Sequence, residues 1–296
     1  MAWKIHGKTK LWSLASLGLA VGFGLLYNPP SATSVSLLPL VFGLIAGITV
    51  FIGAYALYFL RGRLSNTSLG ILQAVAGGVL AYLALETGHA AAEYVEELAR
   101  WETIGDFVVA SIVTTLAFVL TFLVLTRVEK AAIRSGFEQS TATAFIVAAA
   151  LGVHNVGEGF AIAASLLAGA LASAVLFTVG FAVHNATEGF AIVGPLLAGR
   201  KNPPLLSLFW LSLLAGLPTV AGAGVYYLGV THGLVLAVLN SVANASIVYA
   251  MLHVNLNALS KLGGVMSPKF WLSLTLGVAL AFTTESVVML SGFEAQ

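Results

Sequence analysis

The sequence predicts an all-α integral membrane protein of nine transmembrane helices, and three observations support this fold class. The chain of 296 residues is 59% hydrophobic and only 8% charged, with a mean hydropathy of +0.98, whereas soluble domains are about one-quarter charged. Nine apolar stretches are long enough to cross a bilayer, and basic residues collect on alternate connections between them. No segment is left over for a soluble domain.

Composition also excludes several classes of function. Thirteen Lys and Arg residues against twelve Asp and Glu residues give a formal charge of +1, so no overall basic surface exists to attract nucleic acid. The chain contains no cysteine, which excludes disulfides, thiolate metal sites and thiol catalysis. Any metal site must therefore use histidine, carboxylate and amide groups.

The nine predicted spans follow from helix geometry. The hydrocarbon core is about 30 Å thick and a helix rises about 1.5 Å per residue, so a span needs about 20 apolar residues. Short connections rich in Gly, Pro or charged residues separate the stretches. Their limits are 11–27, 35–60, 67–88, 106–127, 142–168, 172–198, 205–228, 233–255 and 270–291.

The first span divides the chain into two parts. Residues 1–30 form a basic N-terminus with an additional transmembrane helix, and residues 31–296 form an eight-helix bundle. A cleaved signal peptide is the alternative, because the basic start and the apolar run are followed by the small residues Ser31 and Ala32. Cleavage would leave eight helices in the same orientation.

The orientation follows from the charges, since Lys and Arg beside a span stay on the cytoplasmic side. Alternate connections carry Lys4, Lys8, Lys10, Arg61, Arg63, Arg127, Lys130, Arg134, Arg200, Lys201, Lys261 and Lys269. The remaining connections hold one basic residue, Arg100, within an acidic run from Glu93 to Asp106. We therefore predict that the N-terminus lies in the cytoplasm and the C-terminus outside.

Four ionisable residues fall near the centres of the fifth and sixth predicted spans, where a charged side chain costs about 3 kcal/mol to insert. They belong to a motif that occurs twice, thirty residues apart. The two copies are Val153-His154-Asn155-Val156-Gly157-Glu158-Gly159-Phe160 and Val183-His184-Asn185-Ala186-Thr187-Glu188-Gly189-Phe190. Residues of this kind face a bundle interior and mark an ion or substrate path.

The two motifs predict a divalent-metal site between antiparallel helices. His and Glu at i and i+4 share one helical face, and the short connection near residue 170 places the two helices side by side. His154 then lies near the level of Glu188, and Glu158 near that of His184, so two imidazoles and two carboxylates converge. This donor set suits Zn²⁺ and other borderline divalent ions. The alternative is a buried polar contact between the two helices, in which these side chains only hydrogen-bond each other.

The two motifs resemble those of the ZIP family of zinc and iron permeases, whose fourth and fifth helices carry His-Asn-x-x-Glu-Gly and a similar His-x-x-x-Glu motif. More weakly, the resemblance extends over about 35–291 and supplies the eight helices of that family, with 11–27 as an extra helix. It implies transport of divalent metal into the cytoplasm by alternating access, often in a homodimer. In that family the transported metal is usually Zn²⁺ and sometimes Fe²⁺, Mn²⁺, Co²⁺ or Cd²⁺.

The resemblance also implies roles for individual residues. By position in the motifs, the main metal ligands would be His154, Glu158, His184 and Glu188. Asn155 and Asn185 would join the two glutamates at an adjacent second site. Members of the family often complete that second site with a glutamate on the next helix, where this sequence has Thr219. We therefore predict one metal ion per transport cycle.

Further polar residues are candidates for the ion path. Glu86, His89 and Glu93 share one face at the outer end of the third span and form a candidate entrance path; a solvated helix end is the alternative. His253, near the cytoplasmic end of the eighth span, is a candidate exit residue, but the acidic partner that the resemblance implies is missing there. Glu285 lies inside the last span, and its role stays open between a structural pair and a path residue.

These features favour a transporter rather than an enzyme. Metal ligands at mid-depth and an acidic outer side suit the passage of cations. The divalent metal is then the transported substrate, and no prosthetic group is expected. The alternative is an intramembrane zinc-dependent hydrolase acting on a lipid or peptide, although two near-identical motifs provide no distinct general base. We place the protein in the lipid bilayer of a prokaryotic plasma membrane.

Overall fold

A computed structural model describes residues 36–101, 103–199, 203–229 and 233–293. In these ranges the chain forms eight long helices and no strand. They are α1 Leu38–Leu60, α2 Asn66–Trp101, α3 Ile104–Arg134, α4 Gln139–Leu167, α5 Leu171–Gly199, α6 Leu205–Gly224, α7 Gly233–Leu262 and α8 Pro268–Phe293.

The all-α fold class is confirmed for the described residues, and their helices are compatible with a membrane protein. Seven of the helices, α1 to α7, are long and apolar enough to cross a membrane. The count of nine spans and the orientation of the chain remain predictions. The first predicted span, 11–27, lies outside the described residues, as do Lys4, Lys8 and Lys10 before it.

Several helices run beyond the predicted spans. α2 continues from the predicted limit at 88 to Trp101, so most of the acidic run is helical rather than part of a connection. α3 and α7 extend in the same way to Arg134 and Leu262. The prediction counted only apolar residues, whereas Ala, Glu, Lys and Arg also favour helix in water. The helices therefore project past their apolar segments.

The two ends of the bundle carry opposite charge, and we name them accordingly. The basic end holds Arg61 just after α1, with Arg134 and Lys261 in the last turns of α3 and α7. The acidic end holds the last turns of α2 with Glu93 and Glu97. Under the predicted orientation the basic end faces the cytoplasm.

The helices form two inverted repeats, α1–α3 and α6–α8, around the central pair α4 and α5. Contacts of one repeat have counterparts in the other, in which α1 corresponds to α6, α2 to α7 and α3 to α8. The contact of α1 with α5 corresponds to that of α6 with α4. The contact of α2 with α8 corresponds to that of α7 with α3. α1 crosses α6 in antiparallel fashion, with Gly43 next to Ala223 and Gly47 next to Gly216. A pseudo-two-fold axis therefore passes between the two repeats and exchanges α4 with α5.

Small residues hold each repeat against the central pair. At equal spacing, α1 carries Ala46-Gly47 and Gly53-Ala54, and α6 carries Ala215-Gly216 and Gly222-Ala223. A Cβ atom on Gly53 would collide with the Ala186 carbonyl of α5, and one on Gly222 would collide with the Val156 carbonyl of α4. Val156 and Ala186 occupy the same position in the two His motifs. The backbones thus meet directly, as in other small-residue helix contacts in membranes.

Candidate metal centre

Three ligand side chains of the predicted metal site meet between α4 and α5. His154 and Glu158 lie one turn apart on α4, and the His154 Nε2 atom is 3.3 Å from Glu158 Oε1. His184 of α5 reaches the same oxygen through its own Nε2 atom. The three ligand atoms lie within 4.8 Å of one another. Atoms this close can share one metal ion, since Zn²⁺ binds nitrogen and oxygen ligands at about 2 Å.

The three side chains are buried. The exposed fraction of the side chain is 5% for His154, 2% for Glu158 and 12% for His184. An ionised carboxylate removed from water is costly unless a positive charge compensates it. A divalent cation at this point would supply that charge and accept the lone pairs of both imidazoles.

The fourth predicted ligand, Glu188, lies beside these three residues rather than among them. It is 1% exposed, and its Oε2 atom accepts a hydrogen bond of 3.1 Å from Asn155 Nδ2. Its Oε1 atom has no hydrogen-bond partner in the described part of the chain. The structure therefore brings three of the four predicted ligands together and holds the fourth next to them through Asn155.

Two asparagines connect the centre to both repeats. Asn185 Nδ2 donates to Glu158 Oε2 at 2.8 Å and to the Ala46 carbonyl of α1 at 3.3 Å. Asn155 Nδ2 repeats this pattern with the glutamate of α5 and with the Ala215 carbonyl of α6, the latter at 3.0 Å. The asparagine of each motif thus orients the carboxylate of the other motif.

α1 and α6 also belong to this centre, although the two His motifs do not predict them. Their contribution is the backbone carbonyls of Ala46 and Ala215, which no side-chain motif marks. The repeated Ala-Gly and Gly-Ala pairs were the one signal in the sequence that could have found them.

Four buried oxygen atoms near the centre have no hydrogen-bond partner among the described residues. They are Asn155 Oδ1, Asn185 Oδ1, Glu188 Oε1 and Thr219 Oγ1. Buried polar atoms are nearly always satisfied, and amide, hydroxyl and carboxylate oxygens are ligands for hard and borderline cations. These oxygens therefore fit a cation or a water molecule as partner. Thr219, fully buried, offers only a neutral hydroxyl.

The comparisons give no family assignment. No protein-family model matches the chain, and no curated protein matches it. The likeness to the ZIP family therefore rests on the residues of the two motifs.

A cavity of about 210 Å³ leads from His184 towards the acidic end of the bundle. α2, α5 and α8 build its wall, which includes Glu86 and Glu285. Glu285, whose role the sequence left open, lines the same cavity as Glu86. The other two candidates for the entrance path, His89 and Glu93, are exposed and do not line this cavity.

The space between the centre and the basic end is filled. A buried apolar cluster from α1, α2, α5 and α6 includes Leu57, Leu69, Val193 and Leu208. Tyr58 of the same cluster donates its hydroxyl to the Pro203 carbonyl at 2.9 Å. In the described part of the chain, the cavity therefore reaches the centre from the side of the acidic end, and packed apolar side chains lie on the side of the basic end.

His253 has an acidic partner that its own helix does not supply. Its Nε2 atom is 3.0 Å from Glu129 Oε1 of α3, and its Nδ1 atom is 3.0 Å from the Tyr249 carbonyl. The Tyr249 hydroxyl donates to the second oxygen of Glu129. The expectation that His253 lacks an acidic partner is corrected, because the partner comes from a helix distant in sequence.

We expect Asn155→Leu and Asn185→Leu to destabilise the protein to a similar extent. Each change leaves one buried carboxylate oxygen without its amide donor, and an unsatisfied buried group costs about 1–3 kcal/mol. Thermal unfolding of the purified variants in detergent measures the effect. A large loss of stability in only one of the two variants would contradict the symmetric description of the centre.

Proposed function

We propose that the protein transports divalent metal ions, Zn²⁺ foremost, across a membrane through the His/Glu centre. The observation that carries the proposal is the position of this centre between two inverted repeats, with a cavity that reaches it from one end. Fe²⁺, Mn²⁺, Co²⁺ and Cd²⁺ are further candidate substrates, since histidine and carboxylate ligands bind all of them.

Inverted repeats supply a physical basis for alternating access. Many secondary transporters are built from such repeats, with the ion site near the bilayer midplane at the interface between them. Here α4 and α5 carry the ligands and lie between α1–α3 and α6–α8. Two similar repeats can exchange conformations, and the exchange turns a bundle open at the acidic end into one open at the basic end.

The charges support movement of a cation from the acidic end to the basic end. Glu86 and Glu285 line the cavity, and none of the described residues in its wall is Lys or Arg. A carboxylate-lined cleft raises the local concentration of cations. Under the predicted orientation this movement is uptake into the cytoplasm. We further propose that the protein lies in a prokaryotic plasma membrane and that it forms a homodimer.

Metal flux into proteoliposomes tests this function. We expect saturable Zn²⁺ uptake by the wild-type protein, and a loss of at least about tenfold in the His154→Ala/His184→Ala variant, because a single carboxylate remains of the three clustered ligands. Competition by Fe²⁺, Mn²⁺, Co²⁺ and Cd²⁺ then ranks the substrates. Vesicles without protein provide the background rate.

Two results would contradict the proposal. Equal flux in the wild-type protein and in the double variant would remove the centre from the ion path. Tight Zn²⁺ binding without flux in either direction would favour the intramembrane hydrolase, and the next measurement would then be the hydrolysis of added lipid or peptide.

A further inference from the structure

Gln73 of α2 is a fully buried side chain without a polar partner. It is 0% exposed, and neither its Nε2 atom nor its Oε1 atom has a hydrogen-bond partner among the described residues. A buried amide left in this state is costly, and such groups are rare in folded proteins. We propose that Gln73 and the backbone carbonyl of Ala191 form a neutral oxygen site, which binds the transported metal ion between the His/Glu centre and the basic end. This inference rests on the proposed transport function.

Gln73 lies in the packed region on the side of the basic end. α2 runs from the basic end to the acidic end, and Gln73 precedes Glu86 of the cavity by 13 positions (86 − 73), or about 20 Å along the helix. Its side chain lies against Gly194 of α5, where any Cβ atom would collide with the amide group. Gly194 follows Glu188 towards the basic end, and Val193 beside it belongs to the apolar cluster there. Gln73 thus places a polar group among packed apolar side chains.

Pro195 removes a backbone donor from the same part of α5. It lies inside the helix, and proline has no N–H group, so the carbonyl of Ala191 lacks the donor that the fourth following residue supplies in an α-helix. Ala191 is 0% exposed, which keeps bulk water away from it. One face of α5 carries His184, Glu188, Ala191 and Pro195, to judge from their spacing. Ala191 therefore lies on the ligand-bearing face, less than one turn beyond Glu188.

The equivalent position on α4 keeps its backbone donor. The shift of thirty positions between the two His motifs maps Ala191 onto Ala161 and Pro195 onto Ser165. Ser165 has a backbone N–H, and its hydroxyl also donates to the Ala161 carbonyl at 3.0 Å. The loss of a donor is therefore specific to α5, and it occurs there beside the unpartnered amide of Gln73.

The two oxygens suit a metal ion in passage rather than one at rest. Amide and carbonyl oxygens bind hard and borderline divalent cations, but they supply no negative charge to retain them. The centre, by contrast, offers imidazoles and carboxylates. An ion pathway requires sites that bind well enough to admit an ion and weakly enough to release it. When the bundle opens at the basic end, an ion that leaves Glu188 in that direction reaches Ala191 and Gln73 next.

Two substitutions of Gln73 test the site through flux and through metal selectivity. Gln73→Leu removes both polar atoms, and we expect Zn²⁺ flux into proteoliposomes to fall about tenfold or more. Zn²⁺ binding in detergent should stay within about twofold of the wild type, because no ligand of the centre changes. The unfolding temperature should not fall, since an unpartnered amide is removed. Gln73→Met introduces a soft thioether sulfur, so the ratio of Cd²⁺ flux to Mn²⁺ flux should rise several-fold.

Two further variants complete the experiment. Gln139→Met is the matched control, because Gln139 is exposed at the start of α4; it should leave the flux and the ratio of Cd²⁺ to Mn²⁺ flux unchanged. Pro195→Ala restores a backbone donor to the Ala191 carbonyl. We expect slower Zn²⁺ flux together with a higher unfolding temperature, since alanine is the better helix former.

The outcomes separate this inference from the proposed function. A wild-type flux rate in Gln73→Leu, or an unchanged ratio of Cd²⁺ to Mn²⁺ flux in Gln73→Met, overturns the oxygen site and leaves the transport function standing. Slower flux and a lower unfolding temperature in Gln73→Leu, with that ratio unchanged in Gln73→Met, would show a purely structural role for Gln73. Absence of flux in the wild-type protein overturns both the oxygen site and the transport function.

Discussion

Replacing Glu158 with glutamine will lower the initial rate of Zn²⁺ flux by about 100-fold or more. Glu158 contacts both clustered histidines, and its second oxygen accepts the hydrogen bond from Asn185. Glutamine keeps the size of the side chain but removes the charge that a divalent cation requires at a buried position. Uptake by proteoliposomes, monitored with a fluorescent zinc indicator inside the vesicles, measures the rate.

Glu96→Gln is the control for this substitution. Glu96 lies on α2 with 62% of its side chain exposed, 3.7 Å from Arg100. An exposed ion pair contributes little to stability or to a distant site, so flux should stay within about twofold of the wild type. A Glu158→Gln variant that retains more than half of the wild-type flux would remove Glu158 from the ion path, provided that its thermal stability is unchanged.

The second large effect is expected from Gly222→Ala, which should destabilise the protein by about 1–3 kcal/mol. A methyl group at this position collides with the Val156 carbonyl of α4 and lies 3.0 Å from the Phe160 amide nitrogen. The contact between α6 and α4 must therefore open. Because the Ala215 carbonyl of α6 holds Asn155, the same displacement disturbs the centre. A lower temperature of thermal unfolding in detergent, together with weaker Zn²⁺ binding, is the expected result.

Gly224→Ala provides the matched comparison two residues later on the same helix. A Cβ atom there would have only one neighbour, Leu40 Cδ2 at 3.8 Å, which is an ordinary packing distance. We expect its unfolding temperature to equal that of the wild type or to exceed it slightly, since alanine is the better helix former. Similar behaviour of the two alanine variants would show that the backbone contact between α4 and α6 does not limit stability.

The sequence alone predicted the features that depend on composition and on local helix geometry. Hydropathy and span length predicted an all-α membrane fold, because a bilayer admits only chains whose backbone is satisfied internally. The i and i+4 spacing placed His154 and Glu158 on one helical face, since covalent geometry alone determines that relation. The equal depth of the two motifs and the short turn after α4 then predicted that His184 would meet Glu158.

Only the tertiary structure decided the relations between segments that are distant in the chain. It set Glu188 beside the three clustered ligands, and it brought Glu129 of α3 to His253 of α7. It also placed Glu285 and Glu86 in the wall of one cavity that reaches His184. These contacts depend on how closely the helices approach one another. Backbone contact at pairs of small residues sets that approach, and it leaves only a faint repeat in the sequence.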